Sequence, residues 1–592
     1  MRLVKSSFTL FKPLIVLLIL ALVAMLSACS GNSNEPKPAA DPETNQKTGD
    51  TGSGDSGTPA KEPVKLTIYG AGAADVPGVQ TDPVAKEIER ITGITIETAA
   101  ADENKLKLML ADGDLPDILM VDHKYVKQLI EGNHVLALDD LLKTNGQEIE
   151  KAMPQALEYF RQNMSAGQNK LYFLPIHTGT DAVVAAQAPQ YDYSIGFFAR
   201  WDYYKDLGYP EIKSTDEFLE MLAEMQKRHP TTEDGKKVYG ISAFNDLGLW
   251  PFIIQNAFGE GYFNGPGMYV QDASGNAFEL LTDMNSAFWH SMQYYFKANQ
   301  LGLLDPEAFT QKMDQYSAKL DNLQLLSSMA SWWIGGGNKK LAEQGNPDAG
   351  YALIPIQGAY VYKGASSPSG WAGKYLAISK NSKHPDRALD LLNFLSSPDG
   401  SRLAASGIKD KDWTLVNGQP ELTDETIQAS KTMEKFGDQT GIGKYGNLQG
   451  IDDFVVHPDD KGLINLFYSP KVFQTKLTPF EKTYSEYYGA TYPGEALEKL
   501  EAAGKIKWGA IDSTVQTGLD TAPDDIKRID AKVEELVKTT IPKLILAKNE
   551  GEFNSVKDQF LDNLQKLNYD QSKQFWDQAW KTALDKGAVF KK

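Results

Sequence analysis

Residues 64–97 read VKLTIYGAGAADVPGVQTDPVAKEIERITGITIE, and this stretch decides the fold class. Val64-Lys65-Leu66-Thr67-Ile68-Tyr69 alternates apolar and polar side chains with the two-residue period of a strand. A Gly/Ala loop follows, then a helical stretch from Asp82 to Thr92 closed by Gly93, then Ile94-Thr95-Ile96-Glu97 as a second strand. Strand, helix and strand at this spacing make a right-handed parallel unit. That unit sets the loop 70–78, with Asp75 in it, at the carboxyl edge of a sheet, where ligands bind. Further along, residues 105–111 read as a helix. GDLPDILMVDHKY (113–125) reads as a turn feeding a buried strand that ends in the polar group Asp122, His123 and Lys124.

The amino terminus carries a different signal. A basic start (Arg2, Lys5, Lys12) leads into an apolar run from Pro13 to Leu26 and then Leu26-Ser27-Ala28-Cys29, the only cysteine. An apolar run this short, with small residues before the cysteine and no charged flank after it, fits a cleaved leader better than a membrane-crossing helix of roughly 20 residues. The segment resembles a bacterial lipoprotein signal, which implies cleavage before Cys29 and a lipid on its sulfur; two or more acyl chains hold a protein durably on a membrane. Residues 29–62 are almost free of large apolar side chains and read as a disordered tether.

Loss of the leader removes three basic and no acidic side chains and moves the formal charge from −18 to −21. An acidic body of this kind disfavours a nucleic-acid or anionic-membrane partner, since each needs concentrated basic surface. With no cysteine beyond Cys29 there is neither a disulfide framework nor a thiolate metal site. A body of this length is expected to form more than one lobe.

The order of these phrases carries a resemblance. ITGITIE, ADGDLPDILMVDH, NHVLALDDLL, NKLYFLPI, SIGFFARWDYYKDLGYPEIKSTDEFLEMLAEM, SSMASWWIGGG, GYALIPI and KYLAISKNSKHPDRALDLLNFLSSPDG follow one another as in the family 1 extracellular solute-binding proteins. The FNSVKDQFLDNLQKLNYDQSKQFWDQAW tail resembles the large oligosaccharide-binding lipoproteins of Gram-positive bacteria that serve ABC importers. The resemblance implies an α/β, two-lobed, periplasmic-binding-protein-like fold with hinge crossovers and a helical C-terminal extension. The expected divisions are 1–28 signal peptide, 29–62 tether, 63–184 and 353–423 lobe one, and 185–352 lobe two. Residues 424–592 are expected as a mainly helical extension packed largely on lobe two. The resemblance further implies a monomeric, lipid-anchored receptor on the extracellular face of the cell membrane that passes an oligosaccharide or related polar solute to ABC permease subunits. It implies no enzymatic activity and no cofactor.

Saccharide binding needs flat aromatics that stack on pyranose C–H faces and planar polar groups that fork hydrogen bonds to hydroxyls. Candidates at strand ends are Asp75, Asp122, His123, Lys124 and, near the first crossover, His177. Asp122 also suits the role of a helix cap, and the two roles are compatible. From the other lobe come Trp250 in DLGLWPF, Trp332 in SSMASWWIGGG and, near the returning segment, Trp371 in SPSGWAG. Adjacent tryptophans in an extended segment face opposite ways, so at most one of Trp332 and Trp333 is expected to enter the cleft while the other packs inside, and the resemblance, whose corresponding turn carries ligand-stacking aromatics, favours Trp332. The resemblance implies that Arg200 and Asp202 are structural.

Other chemistries fare worse. Gly70-Ala71-Gly72-Ala73-Ala74-Asp75 lacks the third glycine of a dinucleotide fingerprint, and no P-loop, HExxH or GxSxG occurs. The stretch 229–237 lacks the alternating Asp/Asn of a calcium loop, so no calcium is expected there. A surface glycoside hydrolase would need two carboxylates about 5–9 Å apart. Asp102-Glu103, Asp114 with Asp117, and Asp139-Asp140 are the clusters available, and they read as solvated caps. A repetitive adhesive protein would show internal repeats, and none is evident.

Overall fold

Val64–Tyr69 and Ile94–Ala99 pair in parallel in full register, Val64 opposite Ile94 through Tyr69 opposite Ala99. The helix Pro83–Thr92 makes the crossover between them. Its start is written in the sequence: Asp82 accepts from the Ala85 N–H, Pro83 occupies the first turn, and Gly93 closes the far end. The structure, a computed structural model, describes residues 62–71, 77–99, 102–179, 195–362, 369–370, 373–509 and 514–588. Cys29, Asp75 and Trp371 lie outside the described residues. Everything described belongs to one unit, Ala60–Lys592.

Two sheets seed two hydrophobic cores. The first has six strands in the order Gly78–Val79, Ile94–Ala99, Val64–Tyr69, Ile118–Asp122, Lys374–Ile378, Leu174–Pro175. Lys374–Ile378 runs antiparallel to both of its neighbours, so a late segment is threaded between two early ones. The second sheet has the order Ser327–Ala330, Ile195–Arg200, Tyr351–Leu353, all antiparallel. Every residue of its middle strand is buried. The strand runs into Trp201, fully enclosed in the second core, and Arg200 and Asp202 form a buried ion pair at 2.6 Å beside it. That pair is structural.

The helices Asp524–Ile545, Glu550–Lys566 and Tyr569–Gly587 close the chain. Val533, Val537, Ile541 and Leu544 form an apolar stripe at helical spacing that enters the second core with Phe553 and Phe560. These side chains pack in the second core.

Two segments bear on where the lobes divide. Ile354 and Ile356 lie in the second core, and Val361 lies in the cluster that holds Ile195, Phe198 and Tyr351 of the second sheet, so residues past 353 still pack on that side. Strand Ala359–Tyr362 stays on that side because it pairs in parallel with Ile506–Gly509. The segment that carries Phe436, Ile442, Tyr445 and Leu448 joins the first core rather than the second. The helix cap at Asp82 also ties it there. Its outer carboxylate oxygen accepts from the Tyr445 hydroxyl at 2.5 Å and from Lys444 at 2.9 Å. Asn447 donates to the Gly70 carbonyl at 3.0 Å.

Candidate functional site

Asp122 ends the fourth strand of the first sheet and stands exposed at the N-cap position of a short turn, His123–Tyr125, without making a capping bond. The expectation of a side-chain cap is therefore not met. His123 rests edge-on against Tyr375, its Nδ1 3.3 Å from the tyrosine hydroxyl. Burial holds its imidazole below the ordinary pKa, against the pull of the Leu519 backbone and of Asp520. Lys124 is exposed beside it, its ammonium 5.2 Å from the Tyr125 ring.

A cavity of about 590 Å³ opens over this loop. Its first wall is His123, Lys124, Gly373 and Tyr375; its second is Pro266, residues 519–522, Asp530, Glu534 and Trp576. A neighbouring cavity of about 730 Å³ shares Pro266, Asp530, Glu534 and Trp576 and runs on to Trp250. Together they form one groove with groups from both cores along it.

The helix Asp524–Ile545 builds the groove's flank. Lys527, Asp530, Glu534 and Lys538 line it, while Val533, Val537 and Ile541 are buried in the second core. Asp530 is clamped: one oxygen accepts from the Ser572 hydroxyl and the other from Trp576 Nε1 at 3.1 Å. Glu534, one turn on, has no hydrogen-bond or ion-pair partner among the described residues. Burial first, then the Asp530 charge, pushes its carboxyl pKa up. Asp246, Asp520, Asp530, Glu534 and Glu535 set five carboxylates around the two cavities against Lys124, Lys527 and Lys538. Pro266 reaches the groove because Gly267 takes a positive φ of 76° and a Cβ there would sit 2.3 Å from the Trp576 ring.

At the groove's far end the tryptophans divide. Trp333 is 8% exposed and packs edge-on against Phe244 and Tyr316, whereas Trp332 is 49% exposed. The rings of Trp250 and Trp332 lie 14° from parallel with centroids 6.5 Å apart. The pair splits inward and outward as the sequence suggested, but from a tight turn, Ser331–Trp333, rather than an extended strand. The glycines after it serve packing: a Cβ on Gly336 would meet the Asp321 carboxylate at 2.1 Å, and one on Gly337 the Leu320 carbonyl at 2.9 Å.

The pattern of bacterial extracellular solute-binding proteins matches residues 77–402, more than half of the chain. The chain belongs to that family. It is thus a binding protein and not an enzyme. Among solved structures this solute-binding protein is similar to an HMO-binding, ABC-transporter-associated solute-binding protein from Bifidobacterium longum infantis. That match has a TM-score of 0.58 and 15% identity, covering 88% of this chain and 99% of the other. It is also similar to the alginate-binding protein AlgQ2, with a TM-score of 0.54 and 16% identity over 88% of this chain and 98% of that one. The N-glycan transport protein NgtS from Streptococcus pneumoniae matches with a TM-score of 0.50 and 15% identity over 88% and 99%. No curated protein matches. These likenesses establish a two-lobed solute-binding fold.

Of the sequence candidates, His123, Lys124 and Trp250 line the groove, and Trp332 stacks beside Trp250. Asp122 adjoins it. His177 does not join them. It is 3% exposed, sits at a positive φ of 51°, and its Nε2 lies 2.8 Å from the Gly446 carbonyl, so it ties the first crossover to the returning segment. Reasoning from sequence missed Asp530, Glu534 and Trp576. The available signal was the carboxylate pair four residues apart on one helix, a spacing that is unfavourable unless something else uses it. No helix among the described residues is long and apolar enough to cross a membrane.

Proposed function

We propose that this solute-binding protein captures an oligosaccharide or related carbohydrate between its lobes and delivers it to an ABC permease. In this reading it acts as a single copy tethered by a lipid on Cys29 to the extracellular face of the membrane. One observation carries the reading: a continuous groove whose walls come from both cores and which combines indole faces with hydrogen-bonding side chains. Trp250, Trp332 and Trp576 offer flat apolar surface, and Lys124, Asp122 and Glu534 offer donors and acceptors to hydroxyls. Asp75 and Trp371 remain candidates from their place in the sequence. The names of the similar proteins, which bind HMO or alginate or transport N-glycans, support a glycan as the solute.

A thermal-shift screen against plant, host and bacterial oligosaccharides tests the proposal. A midpoint rise of several degrees with one glycan class, with the glycan recovered intact, is the expected result. A flat response to every glycan alongside a rise with peptides or metal chelates would refute it.

A further inference from the structure

A cavity of about 850 Å³ opens in the second lobe away from the groove. The helix Trp250–Gly259 runs from one to the other: Trp250 lines the groove, and Asn256, about 9 Å further along the axis, lines this cavity together with Gly259 and Glu260. Asn256 is 4% exposed, and its Nδ2 finds no hydrogen-bond partner among the described residues. A buried amide donor left unanswered costs about 1–3 kcal/mol, so its place beside a cavity calls for an explanation. Gly259, three residues on, keeps that face of the helix low, since a Cβ there would meet the Phe197 ring at 2.9 Å. His290 Nδ1 lies 2.9 Å from Oε1 of Glu260 and fixes that carboxylate one turn from Asn256.

The walls limit what can fill this space. An orphaned N–H needs an oxygen that accepts from it, so a bare cation does not answer Asn256. An anion would supply the oxygen but bring its charge to Glu260; at the rim Lys297 is engaged by Asp216 at 3.1 Å and Glu220 at 3.4 Å, and Lys548 is balanced by Glu550. A hydroxyl answers both groups, since it accepts from Asn256 and donates to Glu260. Residues four apart on a helix hold their Cβ atoms about 5–6 Å apart, within reach of two hydroxyls on one pyranose ring. We infer that this cavity is a second ligand site, separate from the groove, that takes a neutral polyol of one or two sugar rings, with Asn256 and Glu260 as its polar floor and Gln293 at its mouth. Phe197, Tyr294 and Phe296 line it and belong to the second core, so a ligand here touches one lobe and cannot draw the two together. Occupancy of this site and closure over the groove are separate events.

The test titrates the protein with glucose, galactose, mannose, N-acetylglucosamine, maltose, cellobiose and glycerol, and with phosphate and citrate as anionic controls, followed by saturation-transfer NMR. The wild type is compared with Asn256→Leu, Gln293→Ala and Trp332→Ala. The expected result is a neutral probe that binds the wild type, weakens about tenfold in Asn256→Leu and measurably in Gln293→Ala, and is unchanged in Trp332→Ala. Asn256→Leu should melt no lower than the wild type, because the donor it removes makes no bond in the empty protein. Gln293 is exposed, so Gln293→Ala decides the matter should the buried variant fail to fold. Three results would each overturn the inference: no neutral probe bound, binding that survives both cavity variants or is lost in Trp332→Ala, or a preference for the anions. None of these would touch the carbohydrate reading of the groove, which the oligosaccharide screen tests on its own.

Discussion

Trp332 and Trp333 are neighbours in sequence with opposite physical situations, and substitution separates them. Trp333→Ala empties a site among Phe244, Tyr316 and Trp250 and should cost about 3–5 kcal/mol in urea unfolding. Trp332→Ala removes a half-exposed ring and should leave stability within about 0.5 kcal/mol while weakening glycan binding about tenfold. A Trp332→Ala protein with full affinity would take that ring out of the site. Asp452 offers a pH test. It is 3% exposed, and burial pushes its carboxyl pKa up to about 7, with Asp453 adding to the rise and the Phe454 N–H opposing it. An unfolded chain ionises this group near pH 4. The folded protein therefore keeps a proton that the unfolded chain gives up, and stability falls as pH climbs from about 4 to about 7, then levels off. Asp452→Asn should gain up to about 4 kcal/mol relative to the wild type at pH 8 and almost nothing at pH 4. Equal gains at both pH values would show that Asp452 is ionised in the fold. Residue roles of this kind were half legible. The polar strand end at 122–124 announced itself, whereas the carboxylate pair of Asp530 and Glu534 marks a helix face without saying what that face meets.

Helix Pro83–Thr92 shows what a single element encodes and what it leaves out. Asp82, Pro83 and Gly93 mark both ends, and the pattern between them gives the buried face of Val84, Ala85 and Ile88. The same Asp82 then binds Lys444 and Tyr445, 362 and 363 residues away, and no periodicity announces that. Segment 436–448, within the extension expected to lie largely on lobe two, packs on the first core through Ile442, Tyr445 and Leu448 as well as through these polar partners. Asp82→Ala should cost about 3 kcal/mol or more, since it strips the cap and leaves a nearly buried ammonium and a buried phenol unpaired. Lys444→Met with Asp82→Ala should recover part of that loss, and a double variant no better than the single would place the cost in the cap alone. The helix Asp524–Ile545 was likewise legible as a helix from its apolar stripe, while the work of its polar face emerges only where the groove passes it.

Across the whole molecule the groove takes walls from two cores, so a solute that touches both favours whichever arrangement brings them together. Small-angle scattering should show a smaller radius of gyration at saturating glycan, and a ligand fragment that reaches only Trp250 and Trp332 should leave it unchanged. Equal radii in all three conditions would argue against closure. The two-lobed plan was readable from the order of phrases along the chain, since strand and helix patterns survive where identity with solved relatives is 14–16%. The crossover positions were less so, because Ala359–Tyr362 looks like any short strand until Ile506–Gly509 is found beside it.

The placement of Lys374–Ile378 between Ile118–Asp122 and Leu174–Pro175 has a consequence for biosynthesis. While the ribosome is still making the second lobe, the earlier half-sheet keeps an open slot with apolar edges and unpaired amides. The first sheet consequently stays incomplete until residues 374–378 have been made. Completion of that lobe therefore depends on a segment that the chain supplies only after the second one.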